Sequence, residues 1–172
     1  MLTRKRASAQ RESISVSTRW GWGPSASAKK SAAVANIMAS WLFKEEPTHY
    51  GYDDFVKDGK AVWSGVKNPV AQRHLHAVKK GDSIFYYHTG DEKSVVGVAK
   101  ALTDAYPDPK DKTGKAAVVD VAPVRKLKRP VTLKEIKADS RFKDFPLVRI
   151  SRLSVMPVTD AEWQRIEQMA LQ

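Results

Sequence analysis

The stretch WSGVKNPVAQRHL, Trp63–Leu75, is the segment from which the rest of the chain is best read. Trp63 offers a large flat ring, and Ser64-Gly65 leaves open backbone beside it. Gly65 can take a positive φ, and its missing Cβ lets another backbone or a ligand come close. Lys67 adds a cation. Asn68-Pro69 reads as a helix start, because Asn is a good N-cap and Pro suits the first helical position, where its absent N–H had no partner to lose. A stacking surface, a positive charge and free helix N–H groups together suit a planar or anionic ligand. Trp63 as a core residue beside a solvated Lys67 is the plainer alternative, and the segment alone leaves both open.

Upstream of it, Ser40–Lys44 reads as a strand and Tyr52–Asp58 as a turn or two of helix closing at Gly59. Trp63–Lys67 reads as loop. Asn68–Lys79 is predicted helical, with Ala71, Leu75 and Val78 on one face and Gly81 as its stop. Ser83–His88 alternates as a strand does, with Ile84, Tyr86 and His88 on one side and Phe85, Tyr87 and Thr89 on the other. Gly90–Lys93 turns the chain into a second strand, Val95–Leu102. Tyr106–Lys115 is a polar loop, and Ala116–Leu127 a third long strand. Thr132 with Glu135 makes a capping box for a short helix to Ala138, and Val148–Ile150 and Ser154–Val158 read as two short strands. A second capping box, Thr159 with Glu162, opens a last helix whose buried stripe is Trp163, Ile166 and Met169 or Ala170. Antiparallel strands interrupted by short helices predict an α+β fold around a small curved barrel.

A chain of 172 residues has room for one domain and a tail. Residues 1–37 carry seven Lys or Arg against Glu12 alone, few large apolar residues and no periodicity, and are expected to be a disordered basic extension. Three origins compete: an organelle leader, a tail adding nonspecific affinity for nucleic acid, or an upstream start preceding a natural start at Met38. Of the net charge of +11, the extension holds +6 and residues 38–172 hold +5. A moderately basic domain attracts polyanions, nucleic acid first among them. Without cysteine there is no disulfide framework, thiol nucleophile or Cys-based zinc site, and no apolar run is long enough to span a bilayer.

Enzyme signatures are missing from the sequence. It contains no G-x-S-x-G elbow, P-loop or G-x-G-x-x-G. His74 and His76 stand two apart on a predicted helix, about 200° around it, so they do not chelate one metal. Nothing places Glu45-Glu46 or Asp53-Asp54 around a scissile bond. No cofactor is expected, and the chain reads as a binding protein. Trp63, Tyr87 and His88, with Trp41 as a lesser member, supply aromatic surface for stacking a base, while Asn68, Thr89 and Ser154 offer groups for its edge.

Several separate motifs also resemble, in order, those of EVE domains in the PUA-like superfamily. WSGVKNPVAQRHL resembles W-x-G-V-R-N-x-x-A-R, and Trp41–Pro47 (WLFKEEP) resembles W-L-F-K-S-E-P. Gly81-Asp82 with Phe85–Thr89 (FYYHT) resembles G-D…F-Y-H-S, and Val96–Ala99, Ala105–Pro109 and Leu147–Pro157 match later segments. The resemblance covers residues 38–172 and implies a PUA-like curved antiparallel barrel surrounded by short helices. Since EVE domains are related to YTH domains, it implies non-enzymatic binding of a modified cytosine or adenine in DNA or RNA. A cytoplasmic monomer is expected, with the nucleus or an organelle as the alternative in a eukaryote. The rival is a PUA-like nuclease pairing His88 with Glu46 or Lys44. Carried over by position, the resemblance puts Trp63, Gly65, Lys67 and Asn68 at one pocket wall. Tyr87, His88 and Thr89 form a second, Lys44 and Pro47 the rim, and Arg149 and Ser154 the closing side. Trp63 and Tyr87 would clamp the base, while Lys44, Lys67, Arg73 and Arg149 would steer phosphates. Three positions depart from the family pattern: Glu45 stands for Ser, Lys67 for Arg and Thr89 for Ser. Lys67 leaves a point charge where Arg makes bidentate contacts.

Overall fold

The structure, a computed structural model, describes residues 38–172. The expectations for residues 1–37 lie outside it. In chain order the elements are β1 (Ser40–Glu45), α1 (Tyr52–Asp58), β2 (Ala61–Trp63), α2 (Pro69–Ala77), β3 (Ser83–His88) and β4 (Ser94–Ala101). They continue with β5 (Tyr106–Pro107), β6 (Ala117–Thr132), α3 (Leu133–Ala138), a 3₁₀ turn at Ser140–Phe142, α4 (Pro146–Arg149), β7 (Val155–Val158) and α5 (Asp160–Met169). The strands hydrogen-bond in the order β2-β6-β4-β3-β1-β7, and β5 adds to β6. One pair departs from the antiparallel expectation: β1 and β3 run parallel, from Ser40 opposite Ser83 to Glu45 opposite His88. The crossover through α1, β2 and α2 returns the chain to the same end of the sheet, which is what a parallel pair requires.

The sheet curls into a PUA-like half-barrel. Trp63 lies on the edge strand β2 and Phe43 on β1, with β6, β4 and β3 between them, yet their ring centroids are 5.0 Å apart. Trp63 also meets Tyr86 edge-on at 5.6 Å. The interior face is therefore Phe43, Tyr86 and Trp63, joined by Tyr52 and Phe55 of α1, all buried. Breaks in register on β4 between Val95 and Gly97 give the strand the extra twist such closure needs. Gly97 is also where Tyr52 crosses the sheet: a Cβ there would stand 2.3 Å from Tyr52 Cζ. The Tyr52 hydroxyl lies 2.7 Å from the Val98 carbonyl and 2.8 Å from that of Arg125, tying β4 and β6 to α1.

Where α2 packs against β6 and β7, the barrel interior is closed. Asn68 caps the helix as expected, its side-chain oxygen accepting from Val70 N (2.8 Å) and Ala71 N (3.2 Å). The helix ends at Ala77, earlier than its apolar spacing predicts. Asp82, 3 % exposed, takes Lys79 N (2.9 Å), Ala39 N (3.0 Å) and Trp41 Nε1 (2.8 Å), which pulls the chain out of the helix. Gly81, at φ +95°, sits in the following turn and not at the helix cap. Trp63 belongs to β2, not to loop, and β6 runs on to Thr132. Val148–Ile150 is not a strand: Pro146 presets a helical φ and starts α4 there. Both capping boxes form. On the outer face α5 stacks Trp163 on Phe85, 3.6 Å between centroids at 15°.

Candidate nucleic-acid interface

Alternation along β1 decides what faces the interior. Trp41, Phe43 and Glu45 share one face: Trp41 lies at the end bonded to Asp82, and Glu45 is where β1 stops. Around Glu45 the barrel mouth opens into a cleft of about 370 Å³, lined by Glu45, Tyr50, Asp58, Lys60, Ala61, Val62, Trp63 and Ser64. That volume falls among small-ligand sites, which run from about 300 to 1,000 Å³. Three pieces of chain build it: the end of β1, the ends of α1 and the whole of β2. Gly59, at φ +71°, stops α1 with its N–H on the Phe55 carbonyl and sends the chain back as β2. The Tyr50 hydroxyl donates to Asp58 Oδ2 (2.8 Å), and burial followed by that bond pushes its pKa up to about 12. Tyr50 is therefore a neutral, fixed ring at ordinary pH. Trp63 is 6 % exposed, a core ring that meets the cleft from within.

A second cleft of about 570 Å³ begins three residues further on. Val66, Lys67, Pro69, Gln72, Arg73, His76 and Lys115 line it, with Asp111, Thr113 and Ala116 on the facing loop. Gln72 holds it together, donating to the Val66 carbonyl (2.7 Å) and accepting from Ala117 N (2.9 Å). Asp111 is spent on the loop itself; N–H groups of Ala116 and Thr113 hold its pKa down to about 2. Among the described residues no ion pair takes Lys67, Arg73 or Lys115. Ser64 and Lys67 are within about 11 Å along the chain at full extension. The basic cleft thus adjoins the barrel mouth. Gly65 bridges the two at φ +75°, with open space where a Cβ would stand.

The expected clamp of Trp63 and Tyr87 is not formed. Tyr86 packs on Trp63, so Tyr87 points out through the opposite face of the sheet. There Tyr87, 3 % exposed, lines a separate cleft of about 180 Å³ with Lys44, Thr89, Lys93, Leu133 and Leu147. Lys44 Nζ stands 5.7 Å over the Tyr87 ring and donates to the Ser151 carbonyl (2.9 Å). Burial lowers the Lys44 pKa and pushes that of Tyr87 up to about 12. Thr89 donates to Glu46 Oε2 (2.6 Å), and the Ser154 carbonyl accepts from Lys44 N (2.9 Å). Arg149 is exposed and paired with Asp144 at 3.1 Å. His88 faces the interior but is 8 % exposed and spoken for: Nε2 accepts from Tyr52 N (3.0 Å) and Nδ1 meets Glu92 Oε2 (2.6 Å). It holds the first turn of α1. Trp41 is core.

Against known proteins, residues 39–169 match the EVE domain. The chain belongs to that family. Human thymocyte nuclear protein 1 (THYN1) is 29% identical over 162 residues, covering 74% of this chain and 72% of its own length. The structure of human THYN1 in complex with 5-methylcytosine containing DNA superposes with a TM-score of 0.71 at 28% identity, covering 78% of this chain and 98% of that one. A Rhodopseudomonas palustris protein solved by NMR reaches a TM-score of 0.74 at 43% identity, covering 77% and 93%.

The residues that sequence reasoning missed in this EVE domain are Tyr50, Asp58, Lys60 and Ser64, together with the inward aim of Glu45. A signal for Glu45 was present. Phe43 and Glu45 have the same parity, and a β1 whose Phe43 is core must present Glu45 to the interior. Tyr50 carried no comparable signal, because it lies between elements.

Proposed function

We propose that this EVE domain binds a modified base of DNA or RNA without catalysing a reaction, 5-methylcytosine in DNA being the leading ligand. The observation that carries it is the barrel-mouth cleft, which brings Trp63, Tyr50 and a Glu45 carboxylate oxygen beside a basic cleft whose Lys67, Arg73 and Lys115 form no ion pair among the described residues. The human relative in complex with 5-methylcytosine containing DNA supports the choice of ligand. A base flipped from its strand enters the cleft and stacks on Tyr50, one stack contributing on the order of 1–3 kcal/mol, with Trp63 as the core wall behind it. Lys67, Arg73 and Lys115 take the phosphates beside it. Lys44, Tyr87, Thr89, Arg149 and Ser154 lie outside this route, while Asn68 and His88 support it by fixing α2 and α1.

The nuclease reading gains nothing from the geometry, since both His88 nitrogens are engaged and Lys44 faces the other side of the sheet. The test is fluorescence anisotropy with single-stranded and duplex DNA and RNA carrying plain cytosine, 5-methylcytosine, 5-hydroxymethylcytosine or N6-methyladenine. One modified oligonucleotide is expected to bind more tightly than its plain form. The logarithm of affinity should fall with the logarithm of salt, by about 0.7–0.9 for each phosphate contact. Lys67→Ala and Arg73→Ala should each flatten that slope by about one contact. Equal binding of plain and modified strands overturns the reader claim; a salt-independent affinity overturns the phosphate contacts.

A further inference from the structure

We infer that Glu45 reads the exocyclic amine of the bound base, so that among pyrimidines the site takes cytosine or its 5-substituted forms and rejects thymine and uracil. The inference rests on the base-binding reading of the barrel mouth and names the class of base that fits it.

Glu45 is the last residue of β1, on the same face as Phe43 and in one cleft with Tyr50 and Trp63. Its carboxylate is held in place from one side, where Oε1 accepts from Glu46 N at 3.0 Å. Oε2 has no hydrogen-bond partner among the described residues. The charge is close enough to Tyr86 that, after burial, it is the next cause raising that hydroxyl's pKa. A carboxylate only accepts hydrogen bonds. Asp58, the other acid of the cleft, already takes the Tyr50 hydroxyl and is exposed at the rim. Of the two acids lining the cleft, Glu45 is therefore the half-buried one, held at one oxygen and left with the other for a ligand.

Cytosine offers an amine at N4, and pairing of Glu with that amine is a known mode of base recognition. Thymine offers O4 there, an acceptor facing an anion, and its N3–H lies between two carbonyls that repel a carboxylate. Tyr50, Trp63 and the phosphate contacts treat both bases alike. Glu45 separates them, as the half-buried acid of the cleft.

The two bases 5-methylcytosine and thymine have the same ring and the same methyl group and differ in the group at position 4, so they isolate this contact. Glu45→Gln is nearly isosteric: its carbonyl keeps Glu46 N, and its amide nitrogen replaces Oε2 as a donor toward O4. Wild-type protein is expected to bind an oligonucleotide with one 5-methylcytosine about tenfold more tightly than the same strand with thymine. In Glu45→Gln that preference should vanish or reverse, with the thermal midpoint unchanged. An equal preference in wild type and Glu45→Gln, or none in wild type, overturns the inference. A strand with an abasic site separates the two levels of failure. If it binds as tightly as both bases, the base-binding reading itself falls; if it binds weakly while both bases bind equally, only the role of Glu45 falls.

Discussion

Trp63→Ala is expected to destabilise the fold by about 3–5 kcal/mol, the range for removing a buried Trp or Phe side chain. The ring is the contact that spans the half-barrel, meeting Phe43 at 5.0 Å and Tyr86 at 5.6 Å from a three-residue edge strand. Little else ties β2 inward, because the strand's other partner is β6, reached only through Val119, Asp120 and Val121. Removing the ring leaves a cavity at the place where the sheet closes on itself. Urea unfolding followed by circular dichroism checks this; the midpoint should fall with the slope unchanged. A loss below about 1 kcal/mol would mean that Trp63 is not part of the core. The same result has a practical side. Trp63→Ala changes fold and site together, so lost binding in that variant does not distinguish them.

Asp82→Ala is expected to cost about 3–4 kcal/mol. Three donors converge on this one buried carboxylate: Ala39 N before β1, Lys79 N after α2 and the indole N–H of Trp41. Each donor left unpaired in a dry site costs about 1–3 kcal/mol, and the two nearer the surface recover part of that from water. Asp82→Asn keeps one acceptor and turns the other group into a donor aimed at a donor, so it should lose less than the Ala variant yet remain clearly destabilised. Both are read from the same unfolding curves. An Asp82→Ala protein as stable as wild type would show that the start of the domain and the end of α2 are held by packing alone.

Much of the fold was legible because local chemistry and tertiary context agree. Thr132 with Glu135 and Thr159 with Glu162 fix two helix starts by reciprocal hydrogen bonds that need no partner element. Ser83–His88 is rich in aromatics because both of its faces are buried, Tyr86 against Tyr52, Phe55 and Trp63 and Phe85 against Trp163. The departures occur where a long-range partner overrules a local preference. Val78 continues the apolar spacing of α2, but Asp82 captures the next N–H and ends the helix. Trp63 looks like loop beside Ser64-Gly65, but pairing with Val119 makes it strand.

The candidate site was less legible than the fold, for a geometric reason. Tyr86 and Tyr87 are adjacent aromatics of opposite parity, and the sequence says that they part without saying which one meets Trp63. That depends on the direction in which six strands curl, a property of the whole sheet. Tyr50, Asp58 and Lys60 reach the mouth only because Gly59 reverses the chain after α1.

The most direct test of the barrel mouth as the base site is to fill it without touching the core. Ser64 is exposed, follows β2 and lines the cleft, so Ser64→Trp adds a ring where a base would stack. Thermal unfolding should match wild type. Anisotropy with a 5-methylcytosine oligonucleotide should show affinity reduced at least about tenfold, the value of one lost stack, with weak salt-dependent binding remaining at Lys67, Arg73 and Lys115. Unchanged affinity in a folded Ser64→Trp protein would contradict the account and move the site away from the mouth.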